Sequence, residues 1–249
     1  MQPRGKLHGK VAVVTGAGRG IGRAIALAYA NEGAAVCCAA RSLAQIQDTA
    51  AVITNAGGHS LAVQTDVTQL PAVEHLFRVT VEAFGGVDIV VINAGRSDDH
   101  RPVEDSQPAD WLAILEVNLI GAYYCAKAAI PYLKRRGAGK IITVGSGIGH
   151  RGPPGRSAYA CSKAGLWMLT RVLAQELWPF KISVNELIPG PVVTEIDPNS
   201  LQARQGGVFA IDSEWIKGPE DVIPLALFLA TQPDVGPTAQ SYSLMRRDL

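Results

Sequence analysis

Charge of one sign is what this sequence most plainly lacks: 23 lysines and arginines face 22 aspartates and glutamates, a formal net charge of +1 at pH 7. No global field therefore draws the chain to nucleic acid or to an anionic membrane, and a small molecule is the expected partner. Cysteines are few, four in all, with no CxxC spacing and no histidine cluster at metal-ligand spacing, which predicts no metal site. Cys37 and Cys38 lie side by side in an apolar, strand-like run, where reduced core thiols fit a reducing cytoplasm. The amino-terminal stretch shows no long hydrophobic run either. The basic start MQPRGKLHGK leads into VAVVTGAG, which glycine soon breaks; it is too short for a bilayer span and unlike a leader peptide. No internal repeat, low-complexity tract or linker divides the chain. With 249 residues, 47% of them hydrophobic and 18% charged, it reads as one globular domain.

What is present is an alternation. Short apolar, β-branched runs at 11–15, 35–40, 61–65, 89–92, 141–144, 183–188 and 241–245 are separated by stretches of helical periodicity. Several runs are apolar without alternation, as strands buried on both faces require. Ser42 and Gln45 have capping-box spacing, Pro71 and Pro108 sit where a first helical turn tolerates proline, and Gly85–Gly86 and Gly137 are helix stops. The pattern predicts an α/β fold, a doubly wound parallel sheet of about seven strands with helices on both faces. Its ligand crevice belongs at the carboxyl ends of the strands.

The segment TGAGRGIG (15–22) follows the first strand and opens a helix. Gly16 permits the tight turn, Gly20 lets the backbone approach a pyrophosphate, and Gly22 lets the helix lie close to the sheet. The freed N–H groups of that helix bind phosphate. The second strand ends in CCAARS, with Ala40 and Arg41 where NAD-binding folds usually carry an acid for the ribose 2′-hydroxyl. Arg19 lies in the glycine turn itself. Two guanidiniums and no acid suit a 2′-phosphate, so NADP is favoured over NAD, although both arginines are equally at home as solvated loop residues. Later, SAYACSKAG places Tyr159 and Lys163 one helical turn apart. Such a pair is either an ordinary surface pair or a phenol acidified by its neighbour for proton transfer.

With TGAGRGIG, INAG at 92–95 and YACSK in series, the sequence resembles the short-chain dehydrogenases/reductases over residues 9–230, and within them the 3-oxoacyl-carrier-protein reductases. The resemblance implies a single-domain Rossmann-type sheet. It implies that Asp66 and Val67 contact the adenine, and that Asn93, Ala94 and Gly95 back the cofactor with Gly16, Arg19, Gly20, Ile21, Gly22 and Arg41. Pro189, Gly190, Val192 and Thr194 would run along the nicotinamide. The family's catalytic tetrad maps onto Asn118, Ser146, Tyr159 and Lys163. Hydride would pass between nicotinamide and a carbonyl or alcohol. Tyr159 would act as general acid/base, Ser146 would hold the substrate oxygen, Lys163 would meet the ribose hydroxyls, and Asn118 would anchor a proton-relaying water. A homotetramer or homodimer is implied, built on helices around 122–133 and 166–177. Trp167, Met168 and Leu173 in the second of these are alternatively core.

Some positions depart from that pattern. Phe180 stands where carrier-protein reductases commonly carry a basic docking residue, although Lys181 follows it and the helix-end residues Arg135 and Arg136 could contribute to such a surface, and the chain ends in MRRDL where members usually carry a glycine pair. His150, Arg151 and Arg156 make the loop before Tyr159 basic, which suits either an anionic substrate or plain solvation. The stretch 194–216 reads as a short polar lid, with Phe209 and Trp215 as candidate pocket walls. Three readings follow: a general NADP-dependent carbonyl/alcohol oxidoreductase, a 3-oxoacyl-carrier-protein reductase in particular, and a non-catalytic NADP-binding redox sensor.

Overall fold

The computed structural model describes residues 5–194 and 215–245. Its apolar runs form seven strands: β1 (Val11–Thr15), β2 (Ala35–Ala40), β3 (His59–Gln64), β4 (Ile89–Ile92), β5 (Gly139–Val144), β6 (Ile182–Ile188) and β7 (Ser241–Ser243). They pair in parallel in the order β3-β2-β1-β4-β5-β6-β7, a Rossmann-type sheet. The order reverses between β1 and β4, which opens a crevice at their carboxyl ends. Strand starts differ a little from the sequence expectation. β3 begins at His59 and β5 at Gly139, because backbone pairing to Ala35 and Ile182 recruits polar and glycine positions that an apolar pattern passes over.

Helices α1 (Gly20–Asn31), α2 (Leu43–Asn55) and α8 (Ile223–Ala230) cover one face of the sheet. There Ile25, Tyr29, Ile46 and Leu229 bury against Val14, Val36 and Leu187. Helices α3 (Leu70–Phe84), α5 (Gly121–Arg136) and α7 (Ser157–Leu177) cover the other, with Phe77, Cys125, Leu133 and Leu173 against Val13, Val90 and Val184. Two short helices, α4 (Pro108–Leu115) and α6 (Ile148–Arg151), precede α5 and α7. Pro71 and Pro108 occupy first turns, and Gly85 and Gly137 end α3 and α5 in left-handed conformation. One expected signal is corrected. Ser42 is the N-cap residue of α2 but makes no side-chain cap bond, so the capping box with Gln45 does not form; both residues line the crevice instead.

The stretch around Asn118 is not one uniform helix. Between α4 and α5 it widens into a π turn, Glu116–Ile120. The whole run Pro108–Arg136 is long and apolar enough to pass for a membrane span, yet Ala122, Cys125, Ala126, Ala129 and Leu133 bury in the core, which accounts for its hydropathy. Cys37, Cys38 and Cys125 are buried free thiols, each pushed by burial up to about 12, whereas Cys161 is exposed.

Candidate active site

The site is assembled at the carboxyl ends of β1, β2, β4 and β5. Thr15 closes β1, and its Oγ1 accepts hydrogen bonds from the Asn93 and Ala94 N–H groups at 3.0 and 3.1 Å while donating to the Val91 carbonyl. Asn93 answers with its Nδ2, which donates to the carbonyls of Thr15 and Gly16. The exits of β1 and β4 are thus stapled before any ligand arrives. Gly22 sits on this staple: a Cβ there would lie 2.3 Å from the Gly16 oxygen and 2.4 Å from the Asn93 amide. The helix starts so close to the sheet because no side chain intervenes.

In front of the staple lies a cavity of about 320 Å³, within the range of small-ligand sites. The amino end of α1 opens into it at Gly20 and Ile21, and Gly16, Asn93, Ala94, Gly95 and Thr194 form its floor and rim. Asp66 and Val67 close one end, and Arg19 and Arg41 line the edge beside Ala40. Asp66 is the only carboxylate on this lining among the described residues, and its Oδ1 is already engaged by the Thr68 N–H and hydroxyl at 3.0 and 2.8 Å. The sequence reading missed Gly18, Ser42, Gln45, Thr65 and Val117, which also line the cavity. Only Gly18 carried a signal, as a glycine inside the TGAGRGIG run; in the structure a Cβ there would meet Gln45 at 2.7 Å. Gly22 lies behind the lining. Pro189, Gly190 and Val192 follow β6; Val192 is tied to Lys217 by an isolated bridge. These residues fit a dinucleotide: a glycine-formed cradle, phosphate-seeking helix N–H groups, and cations at the ribose edge.

The four tetrad positions come from separate elements. Asn118, in the π turn, is buried and fully engaged. Its Oδ1 accepts from the Arg96 N–H at 2.8 Å, and its Nδ2 donates to the Arg96 carbonyl and to Ser162 Oγ, both at 3.0 Å. Ser162 in turn donates to the Tyr159 carbonyl at 2.8 Å. Asn118 therefore locks the loop after β4 to α7, a clamp built from side-chain bonds as well as backbone ones. Ser146 follows β5, and its Oγ accepts from the Ile148 N–H at 3.2 Å. Tyr159 is half-buried in the first turn of α7.

Lys163 is buried on the same helix, with its Nζ 5.7 Å from the centre of the Tyr159 ring. The ammonium donates to the Val144 carbonyl at 2.8 Å. Burial drives its pKa down to about 8, and the negative field of Glu186 opposes that fall. Gly149 brings this half of the site together: a Cβ there would lie 2.8 Å from the Ala164 N and from Lys163 Cβ, so α6 rests directly on α7.

The expected substrate loops are partly placed. Arg156 Nη1 lies 3.1 Å from His100 Nε2 and 3.4 Å from Ser97 Oγ, tying the loop after β4 to the start of α7. His150 turns away from that loop toward Glu186, at 3.2 Å. Trp215 is 48% exposed and stacks under the Lys217 ammonium at 4.9 Å. Phe209, most of the 194–216 lid and the tail from residue 246 lie outside the described residues. No group of histidine, cysteine, aspartate and glutamate side chains suited to a metal occurs among the described residues.

A parallel sheet with a glycine cradle at its reversal point and a Tyr–Lys pair beside it defines a nicotinamide-dinucleotide oxidoreductase class. A family model described as short chain dehydrogenase matches residues 10–205, and the chain belongs to that family. It is 38% identical over 235 residues to a short-chain type dehydrogenase/reductase of Picea abies, covering 90% of this chain and 87% of that protein. It is 36% identical over 229 residues to a 3-oxoacyl-[acyl-carrier-protein] reductase of Synechocystis, covering 91% of each. Among solved structures, a short-chain type dehydrogenase/reductase from Mycobacterium marinum superimposes with a TM-score of 0.88 at 34% identity, covering 95% of this chain and 94% of that one. Members of the family use NAD or NADP and act on small molecules.

Proposed function

We propose that the chain is an NADP-dependent oxidoreductase that interconverts a carbonyl and an alcohol, with Tyr159 as its general acid/base. The observation that carries this reading is a lysine ammonium buried one turn from a half-buried tyrosine, at the same end of the sheet as the cradle of Gly16, Gly18 and Gly20. A dinucleotide held in that cradle supplies or accepts the hydride. Arg19 and Arg41 favour its 2′-phosphate, because no carboxylate among the described residues on that edge would accept a free hydroxyl. Lys163 lends positive charge that favours the phenolate of Tyr159, and Tyr159 moves the proton to or from the substrate oxygen. Ser146 donates a hydrogen bond to that oxygen as charge develops on it. Asn118 holds the loop after β4 against α7, so the pair keeps its place.

The buried, unpaired thiols Cys37, Cys38 and Cys125 suit a reducing cytoplasm. The 3-oxoacyl-carrier-protein reductase named among the relatives makes β-ketoacyl thioesters the first candidates in a panel that also holds ketones and diketones. Tyr159→Phe is expected to lose nearly all NADPH oxidation across that panel while binding NADPH as before. Retention of most of the turnover sinks the acid/base assignment, and NADPH binding without turnover by the unmutated chain favours the sensor reading.

A further inference from the structure

Glu186 is the one charged side chain on β6, and it is fully buried. Ile182 and Val184 on the same strand pack in the cluster that holds Leu166 and Leu173 of α7, so the alternation of the strand turns Glu186 toward α7 as well. Its Oε2 accepts from Ser241 Oγ on β7 at 2.5 Å and faces His150 Nε2 on α6 at 3.2 Å. Its Oε1 has no hydrogen-bond partner among the described residues. A buried carboxylate oxygen left in this way is costly, and a native fold keeps one only where something else compensates.

The position of Oε1 indicates what compensates. A Cβ on Gly145 would lie 1.8 Å from Oε1, so the carboxylate fills the space that any other residue at 145 would occupy. Gly145 joins Val144, whose carbonyl takes the Lys163 ammonium at 2.8 Å, to Ser146. The unpartnered oxygen is therefore aimed into the backbone turn that separates those two groups. Lys163 needs it: a buried ammonium that donates to the Val144 carbonyl is poorly solvated there, and its charged form is favoured by the field of Glu186. The polar side chains in contact with Glu186 are His150 from α6 and Ser241 from β7, whereas Lys163 from α7 lies beyond ion-pair distance and feels the carboxylate through its field across the Val144–Gly145 backbone. His150 is itself held edge-on against Trp167, with ring centres 5.2 Å apart.

We propose that Glu186 is the buried counter-charge of Lys163, a positioning residue that keeps the ammonium charged beside Tyr159, and that Gly145 is glycine to make room for it. The inference rests on the reading of Tyr159 and Lys163 as the proton-transfer pair, but its test needs no turnover.

Protein labelled with ¹³C at the lysine Cε is titrated without cofactor, and the Lys163 resonance is assigned by its loss in Lys163→Arg. The midpoint is expected near 8 in the unmutated protein. Glu186→Gln is expected to lower it by about one pH unit, roughly tenfold in proton affinity. Glu186→Asp, which keeps the charge one methylene further off, should fall between them, and Glu176→Gln, exposed on α7 with Lys163, should leave it unmoved. An unchanged midpoint in folded Glu186→Gln overturns the proposal; if that variant does not fold, Glu186→Asp decides in the same sense. Repeating the titration in Tyr159→Phe separates the two readings. Activity remaining in Tyr159→Phe removes the acid/base role, whereas the Lys163 midpoint decides the counter-charge independently.

Discussion

Arg41 and Lys163 carry the same formal charge under opposite conditions. Arg41 is exposed at the cavity edge, where a guanidinium keeps its hydration until a ligand phosphate replaces it. Lys163 is buried and surrounded by the site. Exposed charge selects ligands, whereas buried charge tunes neighbours. Arg41→Asp is accordingly expected to leave the fold alone and lower the NADP-to-NAD ratio of kcat/KM by roughly tenfold to a hundredfold, the worth of one charge-assisted hydrogen bond. Steady-state kinetics with both cofactors measures it, and an unchanged ratio removes Arg41 from cofactor selection. At this scale the sequence was easiest to read where a residue type is forced by chemistry. Tyr159 and Lys163 sit one turn apart on α7 as their spacing requires. Glu186 carried no signal, because a lone acid in an apolar strand gains meaning only from Gly145 and Lys163, neither near it in sequence.

Among the elements, the two halves of the site are brought together by close backbone approaches. Gly22 lets α1 rest on the staple between Thr15 and Asn93, and Gly149 lets α6 rest on α7. Gly149→Ala should force α6 away from α7, and with it Ser146, which lies two residues before α6 and accepts from the N–H of its first residue, Ile148. A displacement of about 1 Å at a reacting group costs on the order of a hundredfold in rate. The variant is therefore expected to lose about that much in kcat while binding NADPH as before. Loss of cofactor binding in parallel would show that the two halves are not separable.

The strands were legible because burial on both faces demands continuous apolar runs, and most ends fell within two residues of the expectation. The capping box and the π turn were not legible. Ser42 has the right spacing but lines the crevice, and the widening at Glu116–Ile120 accompanies bonds from Asn118 to Arg96 and Ser162 on two other segments, which local sequence does not show.

For the molecule as a whole, the outer surface of α4, α5 and α7 leaves Leu112, Tyr123, Met168 and Val172 exposed, although Leu166 and Leu173 of the same region are core. Exposed apolar side chains gathered on neighbouring helices suit association of copies. We expect a homotetramer or homodimer, read by sedimentation equilibrium at micromolar concentration; a monomer there contradicts it.

The cradle itself has a consequence for how the chain is made. Among the described residues, its lining apart from Thr194 is drawn from residues up to Val117, whereas Ser146, Tyr159 and Lys163 come later. A ribosome delivers the amino-terminal half first. In the growing chain, most residues of the described dinucleotide lining are thus already made while the part that handles the proton is still unwritten, and β6, with Glu186, comes after both.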